Sequence, residues 1–355
     1  MMAAGTGGHV FPALAVAKAL QQRGHQVSWL ATPTGMENRL LQQHNIPIYQ
    51  IDIQGIRGNG LLRKVTAPFK ILTATFAAMR LMKSLKIDVV AGFGGYVSGP
   101  GGLAAKLAGI PVLIHEQNAV AGFTNKQLAR VAKTICQAFP NAFPAASNVV
   151  TTGNPVRKEI CDILSPKWRY EQRQAEQQPL NVLVVGGSLG AQALNERIPA
   201  ALSALQQPLL VRHQCGQAQL EATQQRYAAL KHIDSFQVEV LPFIEDMAQA
   251  YSDADLVICR AGALTVTEIA TAGVAAVFVP LPTAVDDHQT ANAHYLADVG
   301  AAKICPQATL SPESLTTLLQ PMMSREILMT MAVKARQQAQ TQATSQVADL
   351  IEALS

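Results

Sequence analysis

At 355 residues the chain is too long for one ordinary hydrophobic core, so two domains are expected. Hydrophobic residues make up 49% and charged residues 15%, which suits an α/β protein with buried strands, and a net charge of +4 gives no argument for a nucleic-acid partner. The five cysteines (Cys136, Cys161, Cys215, Cys259, Cys305) are odd in number and dispersed, without a CxxC pair or a His/Cys cluster. That pattern argues against a disulfide framework or a metal site and for reduced, mostly buried thiols in a cytoplasmic protein.

Met1 leads directly into a strand-and-glycine pattern rather than a secretory leader, and no apolar run reaches the ~18 residues of a membrane span. The first strand, Met1–Ala4, is short for a central one, which leaves open a few further residues upstream. Strands follow at Gln26–Ala31, Ile48–Ile51, Val89–Ala91, Val112–His115 and Thr134–Gln137, with helices between them such as Ala13–Arg23 and Gly101–Ala108. This βαβα alternation predicts an open parallel sheet wound on both faces. The pattern changes around Val149–Arg157 (VVTTGNPVR), and the polar stretch Glu159–Gln178 reads as a boundary or surface insertion. A second alternation runs through Leu180–Val185, Leu209–His213, Val238–Leu241, Leu256–Cys259 and Ala276–Val279. The tail, Arg325–Ser355, is helical and amphipathic, and its end is expected to cross back onto the first domain. The fold class is therefore α/β, with two Rossmann-like doubly wound parallel-sheet domains facing a cleft: residues 1–157 plus 341–355, and residues 158–340.

Glycines between the end of a strand and the start of a helix let backbone N–H groups approach an anion, which the helix dipole also favours. One such loop is Gly5–His9, and a second, Gly186–Ala191, repeats the device in the second domain. Each alone is also an ordinary βα turn, and Ser188 is also a plausible helix N-cap. Neither loop carries the dinucleotide pattern GxGxxG, and no acid ends the second strand, which excludes a dehydrogenase. Gly92–Gly102 (GFGGYVSGPGG) holds six glycines in eleven residues, which suggests close approach by a bulky ligand or a loop that reshapes on binding, the alternative being a merely flexible loop. In Cys259–Glu268 the strand ends, Gly262 turns, and a helix opens. Main-chain N–H groups at Ala263, Leu264 and Thr265 would face a phosphate, and Glu268 could accept both hydroxyls of a ribose, or stand simply as a helix-start acid that the dipole favours. After the next strand, Gln289 and Asn292 lie one helical turn apart, suited to reading sugar hydroxyls.

GTGGHVFP, GFGGYVSGPGG, HEQN (His115–Asn118), GNPVR, GGSLGA, CRAGALTVTE and DDHQTAN occur in the order found in the MurG family, over roughly residues 1–340. These are bacterial N-acetylglucosaminyltransferases of glycosyltransferase family 28, with the GT-B fold. The resemblance implies transfer of N-acetylglucosamine from UDP-N-acetylglucosamine to the C4 hydroxyl of undecaprenyl-pyrophosphoryl-N-acetylmuramoyl-pentapeptide, in peptidoglycan synthesis for cell shape and division. It places Thr6, Gly7, Gly8, Asn118 and Arg157 on the donor, Ser188 on the diphosphate, and Ile244 on the uracil through its backbone. Ala263, Leu264, Thr265, Val266, Thr267 and Glu268 take diphosphate and ribose, and Gln289 takes the sugar. Gly94, Gly95, Tyr96 and Ser98 form an acceptor loop. Leu189 stands where the family usually has Gln, and Ala4 where it commonly has Gly.

Inversion at the anomeric carbon requires one base, for which His9 is the first candidate, with Glu116 second and Asp287 behind it; His9 could equally cap its helix. Helix N-termini and Arg157 would meet the charge on departing UDP, so no cofactor and no strictly required divalent ion are expected. Between Ile53 and Ile87 seven Lys or Arg residues and no acid alternate with apolar residues. Leu61, Leu62, Arg63, Lys64, Phe69 and Lys70 would rest on an anionic membrane, unless the segment is a core-facing helix with a solvated basic face. The expected place is peripheral, at the cytoplasmic face of the inner membrane, near protein partners of cell-wall synthesis. A non-hydrolysing UDP-N-acetylglucosamine 2-epimerase and a non-catalytic nucleotide-sugar-binding protein are the alternatives; neither needs an acceptor loop or a membrane face.

Overall fold

The computed structural model describes the chain except residues 54–60, 188–189, 231–235 and 283–286 and the side chains of 61–67. The chain divides into two compact units, Met1–Val156 with Gln340–Ser355, and Arg157–Ala339.

In the first unit β1 (Trp29–Ala31) pairs with β2 (Ile48–Gln50), and β3 (Val90–Gly92), β4 (Val112–Glu116), β5 (Thr134–Gln137) and β6 (Val149–Thr151) pair in sequence, all parallel. The expected first strand, Met1–Ala4, reduces to one residue: Met2 bridges Leu30 on one side and Gly92 on the other, joining the two groups into one sheet. Alternate side chains enter opposite cores, as a strand's period of two requires. Trp29 and Ala31 pack with Val10, Ala13 and the C-terminal Val347 and Ile351, whereas Leu30 packs with Met2, Ala78 and Ala104. The helix Ala343–Glu352 lies on the helix Gly7–Gln22, and Arg23 donates to Asp349 and Glu352 at 2.7 Å each.

The second unit holds β7 (Leu180–Val185), β8 (Leu209–Gln214), β9 (Phe236–Leu241), β10 (Leu256–Cys259), β11 (Ala275–Phe278) and β12 (Ala302–Ile304). They form one parallel sheet in the order β12-β11-β10-β7-β8-β9. The polar stretch Glu159–Gln178 is not a surface insertion. It forms the helices Lys158–Cys161 and Pro166–Ala175, and the second buries Arg169, Tyr170 and Arg173. The three are buried because their polar ends are satisfied. Arg173 and Arg325 bracket Asp255, at 2.8 and 3.2 Å, and Tyr170 donates to the Asp255 carbonyl. Among the described residues no helix is long and apolar enough to cross a membrane.

Candidate functional site

In the first unit the helix begins earlier than expected, at Gly7, with Thr6 in extended backbone at its N-cap. Gly7 and Gly8 thus form the first turn, where N–H groups lack intrahelical partners. His9 stands in that turn. Its Nδ1 is 3.4 Å from the Thr6 hydroxyl, and its ring covers Gly94, where an added Cβ would lie 2.6 Å from Cδ2. Gly94 sits at φ +101°, a left-handed conformation that glycine adopts without strain.

The rest of the glycine-rich segment is not an open loop. Ser98 starts the helix Ser98–Ala108, and Gly101 and Gly102 within it let the helix settle onto Met2 and Leu128. Of the expected acceptor-loop residues, Tyr96 is exposed, and Gly95 packs against the Ala4 backbone. Ser98 is fully buried; its hydroxyl accepts from Gly94 N at 3.1 Å and donates to Gly94 O at 2.8 Å. Ser98 therefore shapes the turn at Gly94 and does not face a ligand.

Glu116 is likewise buried. Its Oε1 accepts from the Asn118 N–H and side-chain amide, and its Oε2 from Gly122 N and the Asn125 amide, at 2.9 to 3.2 Å. Four donors on one carboxylate fix the loop that carries Asn118. Buried, and with both oxygens taken by this loop, Glu116 is placed as a structural group, which argues against its place as second candidate base. His115 is also interior: Nε2 meets the Gly153 carbonyl at 3.0 Å, the ring stacks on Phe93, and burial lowers its pKa to about 4. Gln117 donates to Phe93 O at 2.9 Å and Asn154 donates to Gln117 O at 3.0 Å, so this segment ties the Gly94 turn to the GNP segment.

In the second unit Gly190 has φ +77°, and an added Cβ would strike the Cys215 carbonyl, so only glycine fits. Ser188 and Leu189 lie outside the described residues. Gly262, without a side chain, is the N-cap of the helix Ala263–Ala272. Ala263, Leu264 and Thr265 therefore carry N–H groups that the helix itself leaves unbonded. Val266 donates to Gly262 O at 2.9 Å, and Thr267 is buried with its hydroxyl on Ala263 O. Glu268, one turn on, is 15% exposed; its Oε1 accepts from Arg157 Nη2 at 3.1 Å and its Oε2 from the Tyr251 hydroxyl at 3.1 Å. Burial raises the Glu268 pKa, and the nearby Arg157 charge with the hydrogen bonds from Arg157 and Tyr251 opposes that shift.

Ile244 is buried before the helix Met247–Asp253, which Asp246 caps through Gln249 N. Gln289 accepts from Leu281 N at 2.9 Å. Asn292 is fully buried and donates to Ala261 O at 3.2 Å, which ties it to the turn before Gly262 rather than to an exposed sugar-reading position. Asp287 accepts from the Thr290 hydroxyl, while Asp286 lies outside the described residues. Two residues escaped the sequence reading. Arg260 donates to the Val279 and Pro280 carbonyls and to Gln307, and Tyr251 reaches Glu268 from a helix with no motif of its own.

Two parallel-sheet units, each with a helix start stripped of side chains at the carboxyl ends of its strands, define a GT-B-type glycosyltransferase. Residues 1–137 match the glycosyltransferase family 28 N-terminal domain and residues 181–354 its C-terminal domain. The chain belongs to glycosyltransferase family 28, in its MurG branch. It is 73% identical over 352 residues to the UDP-N-acetylglucosamine–N-acetylmuramyl-(pentapeptide) pyrophosphoryl-undecaprenol N-acetylglucosamine transferase of Acinetobacter baumannii, covering 99% of this chain and 96% of that protein. Identity to the protein of the same name from Aeromonas hydrophila is 51% over 350 residues, 98% and 94% of the two chains. The crystal structure of Acinetobacter baumannii MurG superposes with a TM-score of 0.89 at 68% identity, covering 99% and 98%. The calicheamicin glycosyltransferase CalG4, at 14% identity and a TM-score of 0.67 with 99% and 97% coverage, shares the fold alone.

Proposed function

We propose that this chain transfers N-acetylglucosamine from UDP-N-acetylglucosamine to the C4 hydroxyl of lipid-linked N-acetylmuramoyl-pentapeptide, with inversion at the anomeric carbon. The observation that carries the reading is the pairing of an uncapped helix N-terminus at Ala263–Thr265 with the mostly buried carboxylate Glu268 one turn later. The N–H groups suit a diphosphate, the carboxylate suits a vicinal diol, and near relatives bear the name of this transferase.

His9 takes the proton of the acceptor hydroxyl as its oxygen attacks the anomeric carbon and the bond from that carbon to the diphosphate breaks. Charge gathering on departing UDP meets the helix N-terminus and Arg157, which leaves Glu268 as the ribose arrives. These groups supply the stabilisation that a divalent ion would, so turnover persists in a chelator.

The acceptor's lipid places the enzyme at a membrane. On the helix Leu61–Ser84, Ala74, Ala78 and Met82 are buried whereas Phe69, at 71% exposure, Leu72 and Phe76 face out beside Lys70. The helix packed against it exposes Leu103 and Leu107, and the next exposes Phe123. Large exposed apolar side chains with basic neighbours suit an anionic lipid surface. The decisive experiment measures UDP release from UDP-N-acetylglucosamine with and without the lipid-linked acceptor. Release only with acceptor supports the transferase; conversion of the donor alone would mark an epimerase instead.

A further inference from the structure

A carboxylate that is to accept two neighbouring hydroxyls must hold its plane, yet the terminal torsion of a free glutamate is broad. Glu268 is not free. Tyr251 stands on a different helix, Met247–Asp253, its ring fully buried and its hydroxyl 3.1 Å from Oε2. Burial raises the Tyr251 pKa well above its ordinary value, so the hydroxyl keeps its proton and donates. The backbone of Tyr251 is held as well. The Arg169 guanidinium donates to the Tyr251 and Ser252 carbonyls, at 3.2 and 2.9 Å, and to Ala272 and Gly273, at 2.6 and 2.7 Å. It thus pins the carboxyl end of the helix bearing Tyr251 to that of the helix bearing Glu268.

We infer that Tyr251 is a positioning residue that sets the Glu268 carboxylate to bind a ribose diol and thereby makes the enzyme select nucleotides carrying ribose over 2′-deoxyribose. The two oxygens of Glu268 differ in their partners. Oε1 is met by Arg157, whose side chain is 45% exposed and can withdraw, while Oε2 is met by an interior hydroxyl that cannot. On binding, one hydroxyl of the diol replaces Arg157 at Oε1, and the second shares Oε2 with Tyr251, whose bond fixes the plane. This inference rests on Glu268 as the ribose acceptor.

The test compares wild type, Tyr251→Phe and Glu268→Ala with UDP-N-acetylglucosamine and its 2′-deoxyuridine counterpart, measuring kcat and KM for each, with thermal melting to confirm folding. Phenylalanine keeps the buried ring and removes only the hydroxyl. The expected result is a KM for the ribose donor raised about 5- to 10-fold in Tyr251→Phe, with kcat within about twofold and the preference over the deoxyribose donor reduced by a similar factor. A tyrosine that merely supported the fold would lower the melting temperature and leave that preference intact. If Glu268→Ala abolishes the preference while folded Tyr251→Phe retains it, the role of Tyr251 is overturned and the ribose reading stands. If Glu268→Ala retains the preference, both are overturned.

Discussion

The imidazole of His9 stands against Gly94, so close that a methyl group there would lie 2.6 Å from Cδ2 and 2.9 Å from Nε2. Two glycine-containing segments some eighty-five residues apart are thereby locked at one point. The first supplies a helix start and the second supplies the turn that Ser98 shapes.

Gly94→Ala breaks that contact in two ways. The methyl group imposes strain at φ +101°, and it pushes the His9 ring away. Transfer is expected to fall by more than about tenfold, since small displacements of a reacting group cost that much. Affinity for UDP alone, which the proposed function assigns to the second unit, should change less than about twofold. Steady-state kinetics and calorimetric titration with UDP check both numbers.

His9→Gln keeps a polar side chain at the helix start but removes the proposed base. The expected loss is in kcat, on the order of 10²- to 10⁴-fold, with the donor KM little altered. A loss confined to KM would assign His9 to binding.

The glycine positions were legible because a left-handed turn or a close backbone approach leaves few alternatives, as at Gly94 and Gly190. The position of Glu268 near the start of a helix was legible because a strand ends at Cys259 and Gly262 turns the chain just before it. Arg169 and Arg173 were not, since a Gln- and Arg-rich stretch looks solvated until its guanidinium groups find the carbonyl ends of other helices. Ser98, Glu116 and Asn292 look like ligand contacts in sequence and turn out to hold loops, because burial decides the matter and burial is a tertiary property. The strands Val149–Thr151 and Ala302–Ile304 are too short for their periodicity to register.

Glu268 carries a pH signature. With its folded pKa raised, the fold takes up a proton before the unfolded chain does as pH falls. Its charged form therefore costs stability above that raised value, and the cost is lifted below it. Glu268→Gln should melt no lower than wild type at neutral pH while binding the donor more weakly. Wild-type donor affinity should fall as pH drops through the raised value, whereas the variant's should stay flat over the same range. Calorimetric titration over a falling pH series, run on both proteins, separates the two.

Among the described residues each unit also buries one neutral histidine. Burial lowers His115 to about 4 and His213 to about 3; His213 lies between the Tyr227 hydroxyl at 2.9 Å and the Asn195 side chain at 3.1 Å. Below the ordinary imidazole value of about 6.5 the unfolded chain binds protons at both positions and the fold does not. The stability these groups contribute is full above that pH and declines as pH falls towards 4, by up to about 1.4 kcal/mol per pH unit for each histidine. Denaturant unfolding at pH 7, 6 and 5 measures the slope, and His213→Gln should remove one histidine's share.

Arg169 is where a single substitution should cost most outside the reacting groups. Its guanidinium donates to five main-chain carbonyls, of Leu164, Tyr251, Ser252, Ala272 and Gly273. Burial lowers its pKa to about 10, so it remains charged at neutral pH, and the carbonyl ends of two helices face its positive charge favourably. Arg169→Met fills much of the volume but orphans those carbonyls, and the expected destabilisation is about 3 to 5 kcal/mol. Arg169→Lys restores the charge but not the planar fork, so it should recover less than half of the loss. Because the same guanidinium pins the helices bearing Tyr251 and Glu268, the Lys variant, if folded, should also show a raised donor KM with kcat nearly unchanged. Unfolding midpoints paired with donor KM values for the two variants distinguish a clamp that organises the ribose site from one that only stabilises the sheet.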